Sequence, residues 1–138
     1  MFFPESFPPC QPLHQVLTDA ALTERVLAAA FEVSNTLGAG FLEKVYERAL
    51  LKELTLQGLQ ATSQAPYTVL YKGENVGQYL ADIIVENTLV VELKSADTLT
   101  SQHTAQCLNY LKASHLKVAL LLNFQRPKLA WKGIVNDF

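Results

Sequence analysis

An acid and a base stand two residues apart in Val91-Glu92-Leu93-Lys94, at the end of a Val- and Leu-rich stretch that reads as a strand from Leu89 to Lys94. Side chains two apart on a strand point the same way, so Glu92 and Lys94 share one face and Val91 and Leu93 the other. A second acid, Asp82, lies on the preceding strand, Gly77 to Val85, and the turn decides whether it joins them. A three-residue loop, Glu86-Asn87-Thr88, pairs Val85 with Leu89 and therefore Asp82 with Glu92 on one face. A two-residue loop pairs Asp82 with Val91 and removes it. The longer loop needs a residue near the left-handed region, which Asn87 tolerates better than Thr88. In the first register two carboxylates converge where a hard divalent cation binds through oxygen, and Mg²⁺ suits a site of one or two carboxylates that leaves it several waters. The chemistry such a site supports is metal-assisted hydrolysis, with Lys94 orienting a water or neutralising charge in the transition state. A strand with an ordinary polar outer face would show the same residue types.

The elements that must position these residues follow from periodicity and punctuation. Apolar residues at Val26, Leu27, Ala30, Val33 and Leu37 predict a helix starting at Thr23, with Leu22 and Leu27 as a hydrophobic staple and Gly38 and Gly40 as its stop. A second helix runs from about Phe41 to Gln57, ended by Gly58. A short strand, Tyr67 to Tyr71, leads through a turn at Lys72-Gly73-Glu74-Asn75 to the two strands above. Thr100 caps a helix to about Ala113, and strands at Lys117 to Leu122 and Leu129 to Val135 complete the chain. The fold class is α/β (α+β): after the opening helices, three strands, a helix and two strands build a mixed sheet flanked by helices. Four prolines in the first dozen residues exclude a regular helix or central strand there, so residues 1–19 read as a Pro/Phe-rich arm and 20–138 as a single domain.

Two helices carry further polar groups. On the second, Glu43, Tyr46, Glu47 and Leu50 fall on one face, so Glu43 can approach the strand cluster if that face is partly buried. On the third, His103, Gln106, Cys107, Tyr110 and Ser114 line one side, and the apolar side with Leu108 and Leu111 is expected to be buried. Gln106 and Tyr110 can hydrogen-bond a phosphate, a metal-bound water or a carboxylate. His103 reads as a surface or capping residue, and pairing it with Cys107 as a nucleophile lacks an orienting third group.

With Asp82, Glu92-x-Lys94, the order of elements and Gln106-Cys107-Leu108-Asn109-Tyr110 in view, residues 20–135 resemble the PD-(D/E)XK nuclease superfamily, and the Gln-x-x-x-Tyr spacing resembles its RecB-like branch. Gly40-Phe41-Leu42-Glu43-Lys44-Val45-Tyr46 is similar to the signature of the GxxExxY family of small proteins in that superfamily. The resemblance implies a restriction-endonuclease-like core, with Asp82, Glu92, the Leu93 carbonyl and Glu43 holding Mg²⁺ or Mn²⁺, Lys94 as the catalytic lysine, and Gln106 and Tyr110 lining the site. Ala81 stands where the superfamily's proline would be. It implies a nuclease acting on DNA, expected to be an endonuclease, and the chain's mild acidity and small size favour one that works weakly alone, as a homodimer or beside a partner protein. The alternative function is a catalytically silent module of the same fold that binds nucleic acid or protein.

Composition narrows the field. Of 138 residues, 49% are hydrophobic and 17% charged, enough for one buried core and too apolar for a disordered chain. The longest apolar run, Val26 to Phe31, is far short of the roughly 20 residues that span a bilayer, so no membrane association is expected. Cys10 and Cys107 lack metal-type spacing, and a reduced, cytoplasmic setting is expected. Residues 1–92 carry 5 basic and 11 acidic side chains and residues 93–138 carry 6 and 2. A uniformly basic grip on nucleic acid is thereby excluded, whereas a basic patch beside an acidic centre is not.

Overall fold

The computed structural model describes residues 18–136. The arm expected over residues 1–19 lies outside them except for Thr18 and Asp19. Thr18 accepts the Ala21 N–H through its side chain and starts α1 (Asp19–Leu37), about a turn earlier than the start read at Thr23. An N-cap hydroxyl followed by a first-turn acid outweighs the weaker signal downstream. Leu22 is therefore a buried residue within the helix and not a staple before it.

α2 (Glu43–Leu56) follows a short loop whose conformation one side chain fixes. The Tyr46 ring is fully buried and stacks on Phe124 at 4.5 Å, and its hydroxyl accepts the Phe41 N–H and donates to the Gly38 carbonyl. Gly38 and Gly40 have φ of 74° and 107°, a region that L side chains rarely adopt. The glycines permit the turn and the tyrosine locks it.

Five strands form one mixed sheet in the order β1 (Ala61–Tyr71), β2 (Glu74–Val85), β3 (Leu89–Lys94), β4 (Val118–Asn123), β5 (Ala130–Val135). The β3–β4 pair is parallel and is joined by α3 (Ser101–Ser114); the other pairs are antiparallel. β1 begins six residues before the start read at Tyr67. Pro66 argues against a central strand, but β1 is an edge, where a missing N–H donor is tolerated. It closes on β2 through Lys72-Gly73 alone, with φ of 50° and 83°, the primed two-residue hairpin and not a four-residue turn. The β2–β3 connection is the three-residue loop, with Val85 opposite Leu89. Asn87 is left-handed at φ 52°, and Glu86 is too, at 54°.

Two apolar layers sandwich the sheet. Ile83, Val85, Val91, Leu93, Leu120 and Leu122 pack with α1 and α2; Ile84, Val90, Ala119 and Leu121 pack with α3. Along β1 and β2 this alternation breaks at one level. Ala61, Ile83 and Val85 face α1 and α2, whereas Ala65, Tyr67 and Ala81, of the same parity, face α3. The switch falls at Gln64 and Asp82, which lie opposite one another between the pairs Ser63–Ile83 and Ala65–Ala81, and Gln64 has φ 52°. Asp82 therefore sits where two strands roll over together, within reach of both layers.

Candidate active site

The paired strands β2 and β3 make their last cross-strand pair at Ile83 and Val91. One residue further, side chains replace the ladder. The Asp82 N–H donates to a Glu92 carboxylate oxygen at 3.0 Å, and the Leu93 N–H donates to an Asp82 carboxylate oxygen at 2.8 Å. Each carboxylate is thus held by the opposite strand's backbone through one oxygen, while its other oxygen accepts no hydrogen bond from the described residues. An open cleft of about 440 Å³ lies over them, lined by Asp82, Glu92, Lys94, Gln106, Tyr110 and the β2 residues 78–80. The structure brings all these expected residues to one place.

Burial and mutual repulsion of the cleft's carboxylates outweigh the relief from backbone donors and Lys94. Burial raises the Asp82 carboxyl above the usual carboxylate range, against the pull of the Leu93 hydrogen bond and with a further push from Glu47. Burial, then the charge of Asp82, pushes Glu92 up to about 7. Lys94 lowers both, but its amine makes no ion pair or hydrogen bond with the described residues. Two held carboxylates with a spare oxygen each, repelling one another at the floor of an open cleft, suit a hard divalent cation that keeps several waters. The described residues offer no group of three acids, histidines or cysteines that could hold a metal ion, so the remaining positions would fall to water, backbone or substrate oxygen.

The raised carboxyls set a pH dependence. Folded Glu92 keeps its proton up to about 7, whereas the unfolded side chain releases it near 4.5, so the folded state binds more protons between these values. Its stability contribution is greatest below that window and falls as pH rises through it, by up to about 3 kcal/mol for a shift of this size. Thermal melts in chelator across pH 5–8 should show this fall, and Glu92→Gln should flatten it.

The second helix presents two acids in different roles. Glu43, at the exposed start of α2, accepts the Ser95 N–H at 2.9 Å and so fastens the chain just past Lys94. Glu47, which the sequence placed on the same face without singling it out, is 6% exposed and acts on Asp82 more strongly than Glu43 does, and on Glu92 as well. Lys44 pairs with it at 3.3 Å and the Gln64 amide donates to it at 3.2 Å. The sequence signal for Glu47 was one turn's spacing from Glu43; the strained Gln64 that holds it gave none.

The third helix buries the stripe Cys107, Tyr110 and Leu111, so Cys107 and Tyr110 belong to its core-facing side and not to a polar face opposite it. Tyr110 donates its hydroxyl to the Ala65 carbonyl at 2.9 Å, which leaves its ring edge to line the cleft, and burial raises its pKa. Gln106 is exposed and reaches the cleft. His103 closes a capping box, its Nδ1 accepting the Thr100 N–H, and burial pushes the Cys107 thiol up to about 12, so neither is poised as a base or a nucleophile.

A family model of the PD-(D/E)XK nuclease superfamily matches residues 20–134, and the chain belongs to that superfamily. Among solved structures it is similar to SSO0001, with a TM-score of 0.57 and 17% identity over 70% of this chain and 51% of that one, so it spans about half of that protein's length. It is also similar to an alkaline exonuclease from Laribacter hongkongensis, with a TM-score of 0.52 and 12% identity over 91% of this chain and 75% of that one. Likeness at this identity is a likeness of fold, and it matches the restriction-endonuclease-like core read from the sequence. No curated protein matches the chain. No helix among the described residues is long and apolar enough to cross a membrane.

Proposed function

We propose that this chain is a divalent-cation-dependent nuclease that hydrolyses phosphodiester bonds in DNA, acting as an endonuclease, and that residues 20–138 are its single catalytic domain. The observation that carries this reading is the pair of backbone-held carboxylates, Asp82 and Glu92, each with one oxygen that has no partner among the described residues, beside a Lys94 that has none among them either, in an open cleft. Mg²⁺ or Mn²⁺ bound there supplies charge to a phosphoryl oxygen and acidity to a water. Asp82 and Glu92 hold it, with the Leu93 carbonyl as a neighbouring oxygen donor. Lys94 orients the attacking water or neutralises the charge that grows on the phosphate. Gln106 donates to the phosphate from the α3 side, and the Tyr110 ring shapes that wall. The tight α1–α2 loop, the Glu43 tether and the Tyr46 lock support placement in the GxxExxY family, and Gln106 with Tyr110 supports the RecB-like branch.

Purified protein should nick or degrade DNA in Mg²⁺ or Mn²⁺, and chelation should abolish this. Absence of cleavage on duplex, single-stranded and branched DNA, with metal binding demonstrated, would defeat the reading. The two α2 acids should separate by readout. Glu43→Gln keeps an oxygen for the Ser95 N–H and should lower turnover severalfold with little change in metal affinity. Glu47→Gln removes a buried like charge and should raise thermal stability in chelator while weakening metal affinity. Calorimetric titration of both variants distinguishes them.

A further inference from the structure

A second cleft, of about 550 Å³, adjoins the first, and the two share one side chain, Tyr79. Its walls are β1 residues 68–70 and the C-terminal part of α3 with its cap, Asn109, Lys112, Ala113 and His115. Tyr79 is 38% exposed, and its hydroxyl accepts a long hydrogen bond from the Asn109 amide at 3.5 Å, so the ring spans from strand to helix. Tyr67, its cross-strand partner, lies beside it on the same face and packs its ring edge-on against Tyr110 at 5.2 Å. Gly77, opposite Val69, adds no side chain, and a Cβ there would meet nothing within 4 Å. Lys112 is exposed at the C-terminal end of α3 and has no hydrogen-bond or ion-pair partner among the described residues.

We propose that this second cleft is a subsite for one unpaired nucleotide flanking the scissile phosphate, its base stacked on Tyr79 and its phosphate facing Lys112, so that the enzyme takes a single strand or an unpaired region. This rests on the nuclease reading of the adjoining site and names its substrate class. A strand whose phosphate lies over Asp82 and Glu92 meets Tyr79 at the cleft boundary, and the next nucleotide enters the second cleft. A base within a duplex has both faces covered by its neighbours, whereas an unpaired base can lie on an aromatic ring, a contact that tolerates any sequence. Lys112 complements the phosphate without sequence information.

The test is fluorescence anisotropy of the full chain in chelator with a labelled 12-nucleotide DNA single strand, its RNA counterpart and the matching DNA duplex, beside a Mg²⁺ or Mn²⁺ cleavage assay. At least one single strand should bind more tightly than the duplex, and the strand that binds identifies the sugar. Tyr79→Ala should weaken that binding by roughly tenfold, as loss of one stacked base does, and raise KM with little effect on kcat; Tyr79→Phe should restore most of it. Gly77→Leu, which adds a bulky side chain two residues along β2 from Tyr79 and opposite Val69 of the cleft wall, from an unstrained position, should weaken it similarly. Lys112→Gln should reduce the slope of log K against log salt by about 0.7. Tighter duplex binding, or wild-type affinity in both Tyr79→Ala and Gly77→Leu, overturns the subsite even where cleavage persists. Absence of both binding and cleavage overturns the nuclease reading with it.

Discussion

Replacing Lys94 by alanine is expected to lower kcat by roughly a hundredfold to a thousandfold while leaving metal affinity within a factor of about three. The amine makes no hydrogen bond or ion pair among the described residues that its loss would disturb, and it acts on Asp82 and Glu92 as a nearby positive charge. Its absence therefore leaves the two carboxylates in place on their backbone donors and removes only the charge or donor that the proposed reaction uses as the phosphate is attacked. Single-turnover kinetics at saturating Mn²⁺, with calorimetric titration of Mn²⁺ on the same variant, separate the two effects. A fall in metal affinity as large as the fall in kcat would show that Lys94 organises the site and does not act in the chemical step.

Asp82→Asn should lose cleavage altogether and yet melt at a higher temperature than the parent in chelator. The amide oxygen can still accept the Leu93 N–H, so the local backbone is kept, while the charge that pushes Glu92 upward is gone. Relief of a buried like-charge contact should contribute on the order of 1 kcal/mol, a few degrees for a domain of this size. Mg²⁺ or Mn²⁺ should then stabilise the parent but not the variant, because binding to the folded state alone shifts its stability by mass action. Differential scanning calorimetry with and without metal checks both signs. A variant that melts lower in chelator would mean that the Asp82 charge is compensated in the parent.

Much of this site could be read from residue order. The three-residue loop, its left-handed Asn87 and the convergence of Asp82 with Glu92 follow from counting along a hairpin, because strand pairing leaves few alternatives once the turn length is set. The limits of β3 and the Thr100 cap were equally legible, both being local signals. What escaped were effects of distant packing. β1 extends back past Pro66 because it lies at an edge, a fact of sheet order. Cys107 and Tyr110 face the core because β1 and β2 roll over at Gln64 and Asp82 and bring Ala65, Tyr67 and Ala81 to α3, which strict alternation along a strand does not anticipate. Glu47 is tied to the same roll, since the Gln64 that donates to it has a left-handed backbone there.

The exchange of hydrogen bonds between β2 and β3 has a practical side. The Asp82 and Leu93 amides answer to carboxylates that gain or lose charge, where every neighbouring amide of the ladder answers to a carbonyl that cannot. These two protons are therefore built-in gauges of the cleft's ionisation. In an ¹⁵N-resolved NMR titration their resonances should move with acid and with added cation while those of Ile84 and Val90, one pair inside the ladder, stay nearly still. The state of the cleft floor could thus be followed residue by residue, with no substrate chosen in advance.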